Sequence, residues 1–276
     1  MKQRILFFTG LMVLAFGIPA SAHFQMVYTP ESAVRKTASD LNLKLVFTHP
    51  FGAGHTMDMG APHEFFVVAQ KGEEGRKKRT DLMGYLKPVT WTSLTNSGKA
   101  YEATVPKKIV RSMGDYVFCL VPGPYYEGEE DIYIQQITKM VMNVSGLPGN
   151  WAEPAGLKTE IIPLDKPYGL WTGNVFRGVV TSNGHAVPGA DIEVEYMNHA
   201  PDMRKNKFAE KANVPEIPND AFETMTIKAD GSGMFTFGIP KAGWWGFCAL
   251  GVGPDKLYKG KEMSQDAVIW VQAHDM

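Results

Sequence analysis

Apolar and polar positions along this chain alternate in short runs. Leu41, Leu43 and Leu45 alternate with Asn42 and Lys44, the two-residue period of a half-buried antiparallel strand. Runs rich in Val, Ile, Tyr, Phe and Thr follow at 65–70, 116–121, 131–144 and 158–164, separated by Gly, Pro and Asn. Around 147–174 the texture changes, and Pro148, Pro154, Pro163 and Pro167 predict a turn-rich link into a second unit. Beyond it lie strand-like runs at 191–196, 224–228, 234–237, 243–250 and 267–271, with Ile192, Val194 and Tyr196 alternating against Glu193 and Glu195. The expected fold class is all-β, two β-sandwich domains spanning 23–167 and 168–276.

The polar insertion from 198 to 220, with Arg204, Lys205, Lys207 and several prolines, is expected to be a mobile excursion from the second unit. The succession Gly178-Val179-Val180, Val187-Pro188-Gly189-Ala190 and Asp230-Gly231-Ser232-Gly233-Met234-Phe235 resembles the small prealbumin-like or carboxypeptidase-regulatory-like sandwich.

The first 22 residues follow no such alternation. Lys2 and Arg4 precede an apolar run from Ile5 to Ile18, then Pro19 and Ala20-Ser21-Ala22, which reads as a secretory signal peptide with an Ala-x-Ala cleavage site. The run is short for a membrane span. The expectation is a soluble periplasmic protein of 254 residues, the 276 of the chain less those 22. Loss of Lys2 and Arg4 takes the net charge from −1 to −3, and nothing points to a nucleic-acid partner. Cleavage there makes His23 the first residue, offering an α-amine and an imidazole to one metal ion. The amine has a pKa near 8, so a metal displaces its proton at modest cost at neutral pH.

A second concentration of candidate ligands follows the first strand. Thr48-His49-Pro50-Phe51-Gly52-Ala53-Gly54-His55-Thr56-Met57-Asp58-Met59-Gly60-Ala61-Pro62-His63 holds three histidines and two methionines. If 54–60 is extended, His55, Met57 and Met59 share one face and Thr56 and Asp58 the other. Imidazole suits zinc, copper, nickel and iron, and thioether sulfur favours the softer metals. The candidate metal set is therefore His23, His49, His55, Met57, Met59 and His63, with His63 either a fourth imidazole or a solvated edge residue. The competing reading is a glycine-rich loop whose methionines enter the core and whose histidines are solvated. The acidic run Glu127, Glu129, Glu130 and Asp131 is a solvated loop, a site for a hard cation, or a source of a carboxylate beside a ligating histidine. His185, His199 and His274 are expected at the surface.

Ala22-His23-Phe24-Gln25-Met26, Thr48-His49-Pro50-Phe51, Met57-Asp58-Met59, Pro124-Tyr125-Tyr126-Glu127, Pro167-Tyr168-Gly169-Leu170-Trp171, Gly173-Asn174-Val175-Phe176 and Gly243-Trp244-Trp245-Gly246-Phe247 are together similar to the periplasmic components of cobalt and nickel uptake systems, a family otherwise described as a domain of unknown function. The likeness runs in order over nearly the whole chain after residue 22. It implies an exported protein that binds nickel or cobalt and serves a membrane-embedded metal transporter. Cys248 departs from the small apolar residue expected there.

Other readings stay open at this point. A terminal histidine with methionines also suits a copper carrier, or a copper-dependent oxidase. Two sandwiches also suit an adhesion or carbohydrate-binding protein with an incidental His/Met loop. No nucleophile elbow, phosphate-cradling glycine loop or Cys-x-x-Cys is present, so an enzyme is not the expectation. Cys119 and Cys248 each lie in an apolar run, and buried thiols are expected ahead of a disulfide.

Overall fold

The computed structural model describes residues 23–72 and 74–276, so the expected signal peptide at 1–22 lies outside the described residues. Among these the chain forms three β-sheets, two single-turn 3-10 helices and no α-helix. The first sheet runs β1 (Phe24–Tyr28), β3 (Leu41–Thr48), β7 (Ser97–Val105), β6 (Leu86–Thr92), β17 (Lys207–Ala212) and β16 (His199–Asp202). The middle sheet runs β18 (Thr224–Lys228), β15 (Asp191–Tyr196), β20 (Gly243–Ala249), β22 (Lys261–His274), β10 (Ile132–Val144), β8 (Gly114–Val121), β4 (Glu64–Gln70) and β5 (Lys78–Asp81). Short strands β2 (Ala33–Val34) and β9 (Tyr125–Glu127) pair with β10, and β12 (Leu170–Trp171) and β21 (Leu257–Tyr258) with β22. In the third sheet β13 (Val175–Ser182) pairs with β11 (Thr159–Pro163), β14 (His185–Ala186) and β19 (Met234–Gly238).

Side-chain alternation makes the middle sheet a wall between two cores. On β22, Val268 and Trp270 enter the core shared with the first sheet, while Ala267, Ile269 and Val271 enter the core shared with the third. On β20, Trp244 and Cys248 face the first core and Trp245 and Phe247 the second. A strand buried on both faces needs a nearly continuous apolar run, as 267–271 shows. The fold is a layered β-sandwich in which the middle sheet continues across residue 168: β10 and β22 pair in parallel from Tyr133↔Met263 to Met140↔Trp270.

Two expectations are corrected. The 198–220 insertion carries an ordered hairpin, β16 with β17, that extends the first sheet through Lys207↔Thr92. Phe208, wholly buried, packs edge-on against Trp91 at 5.2 Å, and burying such a ring anchors a segment whose composition is otherwise polar. His199 is buried, with its Nδ1 2.8 Å from the carbonyl of Ala209 inside that hairpin. Cys119 and Cys248 are both buried and unbridged.

Candidate functional site

The sheet register brings three of the predicted histidines together. In the antiparallel pair β1–β3, Phe24 stands opposite Thr48, and Thr48 forms a further antiparallel bridge to Thr56. His23 is one residue before Phe24, His49 one after Thr48 and His55 one before Thr56, so the three form a row across neighbouring segments. The rings of His23 and His49 lie 4.6 Å apart between centroids, tilted by 49°. The turn that returns the chain is closed by the Gly54 N–H donating to the His49 carbonyl at 3.1 Å.

Packing holds this corner from several sides. Phe51 enters the second core, and Ala53, Met57 and Met59 enter the first, so the loop is pinned by both. The Asn96 side chain donates to the Thr56 carbonyl and accepts the Thr56 N–H, and its Nδ2 is 3.5 Å from Nε2 of His55. The outer edge of β1 is met by side chains of the middle sheet. Gln136 donates to the His23 carbonyl and accepts the Gln25 N–H, each at 2.7 Å, and the Trp270 indole donates to the Gln25 carbonyl at 2.9 Å. Gly246 admits this close approach, since a Cβ there would come within 2.9 Å of the Phe24 and Trp270 rings.

Glu127, at the end of β9, completes the corner. Its carboxylate is 3.5 Å from Nε2 of His23. That contact is an ion pair only if the ring is protonated, and the surroundings oppose protonation: burial, and after it the charge of His55, push the His23 imidazole down to about 4. The ring is therefore neutral at pH 7, the form that donates a lone pair. Among the described residues no three His, Cys, Asp or Glu side chains already stand in a coordinating array, so closing on an ion would require side-chain rotation at this corner.

The other predicted residues are placed elsewhere. His55 and Asp58 are exposed, whereas Thr56, Met57 and Met59 are buried, so the shared face expected for His55, Met57 and Met59 is not the one observed. The bridge at Thr56 breaks the simple alternation, and the thioethers fill core space that their size and flexibility suit. Met59 Sδ lies 3.5 Å from the Gln25 side-chain amide. His63 is exposed just before β4, its N–H bonded to the Val121 carbonyl. It lines a cleft with Gln135, which points to the opposite face of β10 from Gln136, so His63 does not join the other three. The supporting roles of Asn96 and Gln136 are not among the expectations drawn from the sequence; the available signal is the adjacent polar pair Gln135-Gln136 in a long strand-like run.

Comparison with known proteins defines the class first. The layered β-sandwich belongs to a described domain of unknown function, DUF4198, which matches residues 20–253 and leaves β22 outside the match. No curated protein matches the chain. Among solved structures, the native conformation of E. coli alpha-2-macroglobulin aligns at 9% identity and TM-score 0.21, over 92% of this chain and 14% of that one. Yersinia pseudotuberculosis adhesin InvE aligns at 10% identity and TM-score 0.24, over 90% of this chain and 58% of that one. The D0-D1 domain of intimin gives 8% and 0.21, over 89% and 98%. The chain thus spans about one seventh of the macroglobulin and under two thirds of InvE. Likenesses this distant carry no functional argument.

Proposed function

We propose that this protein is an exported carrier of a divalent transition metal, nickel or cobalt, which it delivers to a membrane-embedded transporter. The observation that carries the reading is the row of His23, His49 and His55 set by the β1–β3 register, with Glu127 beside it. Imidazole nitrogens and one carboxylate suit nickel and cobalt better than cuprous copper, whose preferred thioether partners are turned into the core. If residues 1–22 are removed on export, His23 adds its amine to the same ion. Met57 and Met59 then wall the site from behind.

Calorimetric titration of Ni²⁺ and Co²⁺ into the chain beginning at His23, and into His49→Ala and His55→Ala, tests this. Each variant is expected to bind at least about tenfold more weakly while keeping the parent's unfolding temperature to within a few degrees, since His55 is exposed and His49 half-buried. Unchanged affinity in both variants would return the loop to a purely structural part.

A further inference from the structure

The middle sheet has a second concave site, on the face of β10 turned away from the histidine corner. There, β4, β8 and β10 are covered in part by the 147–158 segment, through Trp151, Ala155 and Leu157 packing over Phe66, Val117 and Val141. Where that cover ends, a cleft of about 350 Å³ remains between it and the 254–258 segment. Its volume lies at the lower end of small-ligand sites, which run roughly 300–1,000 Å³.

The floor combines apolar atoms with two buried amides. Gln135 and Gln265, 5% and 1% exposed, meet through a 2.7 Å hydrogen bond from Gln265 to Gln135. Gln135 gives one of its two amide hydrogens to the Pro122 carbonyl. Gln265 gives its other amide hydrogen to the Asp255 carboxylate at 3.1 Å, and its oxygen accepts the Asp255 N–H at 3.2 Å. Tyr258 and Leu257 form one wall, and Leu257 is 67% exposed although strongly apolar. The Tyr258 ring continues outward into Tyr133 at 4.9 Å and from there into Tyr126 at 5.2 Å.

Charge decides the class of ligand. The cleft carries two cations and two acids, and they neutralise each other in pairs: Arg79 with Glu64, and Lys158 with Asp255 at 2.6 Å. Of the His, Lys, Arg, Asp and Glu side chains among the described lining residues, His63 alone stands outside these pairs, so no lysine, arginine, aspartate or glutamate charge is left in the cleft to select an anion or a cation. What remains is an aromatic and aliphatic wall over a floor of side-chain amides. A sugar ring presents the same two aspects, an apolar C–H face and a hydroxyl edge.

From this arrangement we infer that the cleft is a binding site for a neutral saccharide of one or two rings. The ring's apolar face lies on Tyr258 and Leu257, and its hydroxyls reach the second amide hydrogen of Gln135 and the rim ion pairs. The site is independent of the histidine corner, because the middle sheet stands between them.

Saturation-transfer NMR on the full chain from His23, with maltose, cellobiose and N,N′-diacetylchitobiose as probes and tri-alanine as the peptide control, tests the inference. At least one disaccharide is expected to bind with a Kd of about 1 mM, with Tyr258→Ala and the surface variant Leu257→Ser each weakening it at least about fivefold and His49→Ala leaving it unchanged. No transfer to any of the three sugars would overturn the inference. Binding of tri-alanine in their place, or sugar binding indifferent to both wall variants, would overturn it equally.

Discussion

Gln135 and Gln136 are neighbours on β10, and they serve opposite faces of the middle sheet. Gln136 clamps main chain: its amide bonds the residues on either side of Phe24 and so fixes where His23 stands. Gln135 lines an open cleft and bonds a second glutamine and a loop carbonyl. One face has become a frame for a loop and a chain end, and the other a floor. The difference teaches that a polar residue in a buried strand must be read by what it bonds, since composition and burial are alike at the two positions.

The largest effect that would sharpen this contrast is on stability. Gln136→Leu leaves the Gln25 N–H and the His23 carbonyl buried without partners, at a cost of roughly 2–4 kcal/mol. Gln135→Leu borders the cleft, where water can reach the abandoned groups, and is expected to cost about 1 kcal/mol. Urea unfolding of both variants compares them directly. Equal losses would mean that the two faces are not held differently.

Next in size is a pH effect confined to the Gln136 side. Burial, with the charge of Asp266 second, pushes the Glu193 carboxyl up to about 7, and burial likewise raises Asp266, which accepts a bond from Gln136. A raised carboxyl pKa means that the folded state holds its proton more tightly than the unfolded chain, so stability falls as pH rises from the unfolded value of about 4.5 through 7. For Glu193 the loss between pH 5 and pH 8 is roughly 1–3 kcal/mol, discounted for its partial exposure. Thermal unfolding at the two pH values should show this drop, and Glu193→Gln should reduce it. A protein more stable at pH 8 than at pH 5 would contradict the assignment.

The smallest effect expected is from the methionines. Met57→Leu with Met59→Leu conserves volume in the first core and should cost under about 1.5 kcal/mol per site, leaving Ni²⁺ affinity within about twofold of the parent. A large loss of Cu(I) binding in that double variant, with no nickel binding by the parent, would move the site to copper.

Much of the strand pattern was legible in the sequence, because alternation and turn residues are local. The runs at 191–196 and 224–228 coincide with β15 and β18, and the alternation of Leu41, Leu43 and Leu45 opens β3. The partnership of β10 with β22 was hidden, since residues about 130 apart must meet and only the finished sheet fixes their register. The histidine loop was legible from its composition. That His23, His49 and His55 form a row, while His63 serves another face, depends on β1 pairing with β3 at one register. The 198–220 hairpin was illegible because one ring, Phe208, outweighs the polar composition around it.

The central claim is that a metal ion is held where the β1–β3 register lines up three histidines, with the His23 amine among its donors. Calorimetry of Ni²⁺ against the chain beginning at His23, beside the same chain carrying one extra glycine before His23, tests it most directly. The account predicts one tight site per chain in the first and binding at least about tenfold weaker in the second, because the added peptide bond removes the amine. Equal affinity in the two would contradict the amine's part, and no heat of nickel binding in either would contradict the site itself.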